Sequence, residues 1–149
     1  MTDNRWKVLA AILAAAPCAT TAQTLLTERT LSFSAALEAA TAAMEQCRKD
    51  GYRVTGASPH TIENSLRKAW TSLTYRTASG EFGKRITSSP TGAGALHLDK
   101  ITTAEGALPI MAGKDLVGSI GVSGAPGGDK DALCSQAGID RIGKGLVAN

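Results

Sequence analysis

Hydrophobic and polar positions alternate with different periods in different parts of the chain, and the periods predict the elements. Residues 8–16 (VLAAILAAA) form an unbroken apolar run with basic residues Arg5 and Lys7 before it. Further on, Ala36, Leu37, Ala40, Ala43, Met44 and Cys47 recur at spacings of three and four, which predicts an amphipathic helix. Ser32 or Ser34 can cap its start, and Gly51 is placed to end it after Arg48 and Lys49 in the last turn. Residues 52–55 (YRVT) read as a short strand that stops at Gly56. Ser58 and Pro59 then supply an N-cap and a first helical position, starting a second helix through about residue 72. A short helix is expected over residues 79–86, a Ser/Pro/Thr/Gly loop over 88–94 and a strand near 96–101. Residues 108–111 and 116–122 flank Ala112-Gly113-Lys114-Asp115, which predicts a hairpin with a glycine-containing turn. A glycine-rich stretch, residues 123–128, leads into a last helix over about 129–137. The sum is α+β, with helices over a small antiparallel sheet.

The first segment changes what counts as the folded protein. A basic start, an apolar run too short to span a bilayer, the breaker Pro17 and the small residues Thr20, Thr21 and Ala22 together form a secretory-signal pattern. Residues 1–22 are read as a cleavable leader and 23–149 as one domain. Removing the first 22 of 149 residues leaves 127, enough for one core and too few for two. The expected location is periplasmic or extracellular. Cys18 leaves with the leader, so Cys47 and Cys134 remain. In an oxidising compartment these two can pair, or each can serve as a small buried hydrophobe. Spacing does not decide between the two.

Composition removes some partners. Aromatic residues make up 4% of the chain, too few for a base-stacking surface. The net charge is +3, of which residues 1–22 carry +1, so nucleic acid and anionic membranes have little to grip. No stable membrane insertion is expected once the leader is gone.

Two segments carry candidate chemistry. On the second helix His60, Asn64, Arg67 and Lys68 fall on one stripe. That stripe can line a ligand site, with His60 as a metal or haem-iron ligand. It can equally be a solvated face in which Glu63 and Arg67 form an i, i+4 pair. The second segment runs from a strand through Gly121, Gly124 and Gly127 into a helix N-terminus, where backbone N–H groups can cradle an anion. It matches neither a dinucleotide-binding fingerprint nor a P-loop. The plain alternative is turning and close packing that only glycine permits.

Taken together, D-G-Y-R-V-T, G-A-S-P-H-T-I-E, R-K-A-W-T-S, L-P-I and V-G-S-I-G-V-S-G-A-P-G-G-D, followed by C-S-Q-A-G, resemble the GlcG/HbpS-type family of haem-binding or haem-degrading domain proteins. The resemblance runs in order from residue 31 to 139. It implies a small antiparallel sheet with helices, a higher-order oligomer and, for some members, haem. On that reading His60 is the axial ligand, Arg67 and Lys68 meet the propionates, and His97 is the alternative imidazole. Glu63, Asn64, Gly121, Gly124 and Gly127 complete the expected site. Two other functions stay open: an enzyme on a small anionic metabolite, with Glu63 or His60 as acid–base group, and a non-catalytic oligomeric interaction protein. The family pattern also implies a hairpin between Thr55 and Gly56 that this chain lacks. About three strands with an apolar face are needed for independent stability, so a reduced sheet is expected whose open edge another protomer completes.

Overall fold

A computed structural model describes residues 27–54, 58–89 and 91–146. The leader reading of residues 1–22 lies outside these. Four helices, a 3-10 turn and one hairpin follow in the order α1 (Phe33–Lys49), α2 (Pro59–Tyr75), α3 (Ser79–Thr87), the 3-10 turn Gly92–His97, β1 (Ala107–Ala112), β2 (Asp115–Gly121) and α4 (Gly128–Gly143). The expected α+β class stands, and the sheet is an antiparallel pair, β1 against β2.

Local chemistry sets the ends of these elements. The Ser32 hydroxyl accepts from the Ala35 N–H and caps α1. Gly51, at φ +81°, closes it: the Gly51 N–H donates to the Arg48 carbonyl and the Tyr52 N–H to the Cys47 carbonyl. Those two bonds satisfy carbonyls that the last turn would otherwise leave bare. The hairpin turns through Gly113 at φ +65° and carries a bulge between Ile110 and Met111. α2 runs three residues and α4 about six residues past their sequence-predicted ends.

Two expected strands do not form among the described residues. Residues 52–54 join no strand; they pass beside Gly124, where an added Cβ would lie 2.7 Å from the Arg53 carbonyl oxygen. Residues 96–101 are a string of tight turns. The Leu98 N–H bonds back to Ala95, the Ile101 N–H bonds back to Leu98, and Lys100 sits at φ +65°. Short-range bonds there use the donors that a strand would offer to a neighbour.

The hairpin lies between two helical layers. On one side α1 and α4 pack against each other and against Ile110, Ala112 and Ile120 in the main core. Gly138 lets the layers close: a Cβ there would lie 2.7 Å from Ile120 Cδ1 and 3.2 Å from Ala43 Cβ. Cys47 of α1 and Cys134 of α4 form a disulfide across this contact, with Cα atoms 5.5 Å apart. The burial of α1 corrects the expected face. Ala39, Ala42, Ala43 and Cys47 are inside, whereas Ala36, Leu37, Ala40 and Met44 are exposed. Alanine stands on every side of this helix, and the side that approaches Gly138 most closely is the one that packs.

On the other side α2 covers the hairpin. The Ser119 hydroxyl donates to the Ala69 carbonyl at 2.8 Å. A Cβ on Gly121 would collide with the Ser65 carbonyl oxygen and lie 2.8 Å from the Ala69 nitrogen. Both obstacles are backbone, so they cannot swing aside. Gly121→Ala is expected to cost about 1–3 kcal/mol, read as a lower urea midpoint at unchanged slope.

Candidate functional site

α2 and the turn between β2 and α4 meet in a cleft of about 320 Å³. Pro59 sits at the first position of α2 and Ser58 is the N-cap. The Ser58 carbonyl, rather than its hydroxyl, does the local work: it accepts from both the N–H (2.9 Å) and the hydroxyl (2.7 Å) of Thr61. This fixes the first turn and leaves His60 exposed at the cleft rim.

One turn on, Asn64 Nδ2 donates to the Ser123 hydroxyl at 2.9 Å and ties α2 to the glycine-rich turn. Another turn on, Lys68 reaches the cleft floor. Its ammonium donates to Asp131 Oδ2 at 2.7 Å and to the Val122 carbonyl at 3.0 Å, and both residues are only 3% exposed. The other Asp131 oxygen accepts from the Ala125 N–H at 3.0 Å. Gly106 makes room for the pair, since a Cβ there would lie 2.8 Å from Lys68 Nζ and 2.7 Å from Asp131 Cβ.

This geometry divides the expected site. His60, Asn64, Lys68, Gly124 and Gly127 line the cleft. Glu63 and Arg67 do not; they are exposed and paired with each other at 2.7 Å. The Lys68 ammonium, expected to meet a propionate, is buried and already paired with Asp131. Gly121 lies under α2 as a packing glycine and takes no part in a cradle. His97 ends the 3-10 turn, exposed and away from this cleft.

The glycine-rich turn already holds an anion, and that anion is the protein's own. Asp131 in the first turn of α4 takes the Ala125 N–H, and Asp129 adds a second carboxylate there. Helix N-termini favour negative charge, so two local acids weaken any attraction for a small anionic metabolite. Sequence reading missed Asp131, Ser123 and Gly106. An acid in a helix first turn was visible, but nothing along the chain links it to a lysine 63 positions earlier.

The His60 side chain is the exposed imidazole at this cleft. Among the described residues no group of three His, Cys, Asp or Glu side chains is placed to hold a metal ion. A haem iron needs less, since the porphyrin supplies four ligands and one axial imidazole suffices. A second, apolar-walled cleft of about 480 Å³ lies between α3 and the 3-10 turn, where Tyr75 stacks on Phe82 with ring centroids 4.0 Å apart.

The likeness to known proteins agrees with this architecture. No curated protein sequence matches the chain. Among solved structures, HbpS is 31% identical, with a TM-score of 0.72 over 78% of this chain and 92% of that one. A double mutant of Streptomyces reticuli HbpS is also 31% identical, with a TM-score of 0.72 over 85% of this chain and 97% of that one. A PduOC:haem complex shares the fold at 23% identity, with a TM-score of 0.68 over 76% of this chain and 95% of that one. Residues 51–140, which hold α2, the hairpin, the cleft and most of α4, match the family described as haem degrading protein HbpS-like, and the chain belongs to that family.

Proposed function

We propose that this chain is an exported haem-binding protein whose iron ligand is His60. The carrying observation is the position of that imidazole. It stands exposed at the rim of a preformed cleft, on a first helical turn fixed by Ser58 and Thr61. The family match and the haem-bound structural neighbour support this ligand class. Export supplies the setting: residues 1–22 act as a cleaved leader, and the Cys47–Cys134 bridge suits a periplasmic or extracellular protein. The protein works as a homo-oligomer, its two-stranded sheet being too small to close its own edges.

A second reading places the haem in the apolar-walled cleft, with His97 as ligand. Gly94 lines that cleft and His97 lies three residues on. Titrating hemin into the protein and following the Soret band separates the readings. The wild type is expected to give a saturable red shift. His60→Ala is expected to weaken binding by about tenfold or more, and His97→Ala to leave it unchanged. The reverse pattern moves the site to His97, and an unsaturable titration removes the haem reading.

A further inference from the structure

The cleft between α3 and the 3-10 turn shares no lining residue with the cleft at His60. Its apolar wall is made by Tyr75, Phe82, Ile86 and Ala95. Packing fixes that wall before any ligand arrives. Phe82 and Ile86 are buried in a small core with Ile101, and Tyr75 and Ala95 pack against them. The volume, about 480 Å³, lies within the range of small-molecule sites. Gly94 in the lining keeps space open, since a Cβ there would meet nothing within 4 Å.

The polar groups of this cleft are few, and one of them is spare. Ser89 and Thr91 bond to each other, hydroxyl to hydroxyl, at 3.2 Å. Arg85 is the charged residue of the lining. Glu81 stands four positions before it on α3, a spacing at which an acid and an arginine ordinarily pair. Glu81 instead holds Lys84 at 2.8 Å, and Arg85 enters none of the ion pairs among the described residues. Its guanidinium lies over the Phe82 ring, 5.7 Å from the centroid. A guanidinium resting on an aromatic face keeps its N–H edge for a planar acceptor, and a carboxylate fits that edge with two bonds.

We propose that this cleft binds a small aromatic carboxylate, its ring against the Tyr75, Phe82 and Ile86 wall and its carboxylate on Arg85. Charge complementarity selects that occupant. A neutral hydrocarbon leaves the guanidinium unmet, and a strongly hydrated polar ligand gains nothing from the aromatic wall. A lipid surface calls for several cations round an apolar face, and Lys84, the next cation on α3, is held by Glu81. The site goes beyond the haem reading and does not depend on it, because hemin held at His60 leaves this cleft free.

Isothermal titration with naphthoate tests the site. The wild type is expected to bind saturably, one naphthoate per chain. Arg85→Gln is expected to weaken binding about tenfold, and naphthamide, the uncharged counterpart, to bind the wild type as weakly as that variant binds naphthoate. Arg85 is exposed, so the variant is expected to keep the wild-type far-UV spectrum. Ile62, Leu66 and Trp70 form a second exposed apolar surface on α2, with Lys100 at 4.5 Å from the Trp70 ring. Lys100→Gln is therefore the control and is expected to change nothing. Saturating hemin is expected to leave the naphthoate affinity unchanged. No saturable binding, or equal losses in the Arg85 and Lys100 variants, overturns the proposal. Displacement of naphthoate by hemin gives the cleft to haem and overturns a separate site. Saturable naphthoate binding in a protein that takes up no hemin keeps the site and removes the haem reading alone.

Discussion

Cys47→Ser is expected to lower stability by about 4–5 kcal/mol at neutral pH, read by urea unfolding of the oxidised wild type against the variant. The figure follows from loop length: the bridge joins residues 87 apart, and closing so long a loop removes about that much chain entropy from the unfolded state. Its location makes the effect large for this fold. The sheet has two strands, and a two-stranded hairpin is marginal by itself. The α1–α4 contact therefore carries much of the main core, and both cysteines are fully buried within it. Cys134→Ser is expected to give the same loss, and the double variant no more than either single. A loss below about 1 kcal/mol would mean that packing round Ala39, Ala43 and Gly138 holds the layers without the bridge.

The same contact bears on what a sequence can disclose. Features with a local cause were legible. Ser32 and Gly51 end α1, Ser58 and Pro59 open α2, and Gly113 turns the hairpin, because each acts within a few residues of itself. The missing strands were harder. Residues 96–101 carry apolar residues at strand-like intervals, but they follow two glycines within four positions and settle into 3-10 turns. Burial was harder still. The apolar stripe of α1 was placed partly on the wrong side, because alanine fits either side: Ala43 and Cys47 are buried, whereas Ala36, Leu37, Ala40 and Met44 are exposed. In α2 apolar side chains mark the outer face, so a reading from hydrophobicity alone would bury Ile62 and Leu66 and expose Lys68. His60 and Asn64, which helical spacing puts on one stripe, both line the cleft. Arg67 shares that stripe but pairs with Glu63 outside the cleft, and position alone does not tell a cleft-facing cation from one so paired.

Asp131→Ala is expected to destabilise the protein by about 3–5 kcal/mol, because it leaves the Lys68 ammonium buried without its counter-charge. The Ala125 N–H, which is partly buried, loses its acceptor in the same variant, and that adds to the cost. Lys68→Met strands the carboxylate instead, and a loss of similar size is expected. The double variant Lys68→Met/Asp131→Leu separates two accounts of the pair. If the ions mainly offset each other's burial, the double variant recovers most of the loss and folds well, as replaced buried pairs often do. If they also order the cleft, stability returns but hemin binding does not, since Asp131 positions the Ala125 turn and Lys68 holds the Val122 carbonyl beneath Ser123. The geometry favours the second result. Two bonds to backbone converge on this pair where α2 meets the glycine-rich turn, and no apolar side chain can replace a bond to Ala125 or Val122. Equilibrium unfolding and hemin titration on the same three variants decide it, and full recovery of both quantities in the double variant would reduce the pair to a filler of the core.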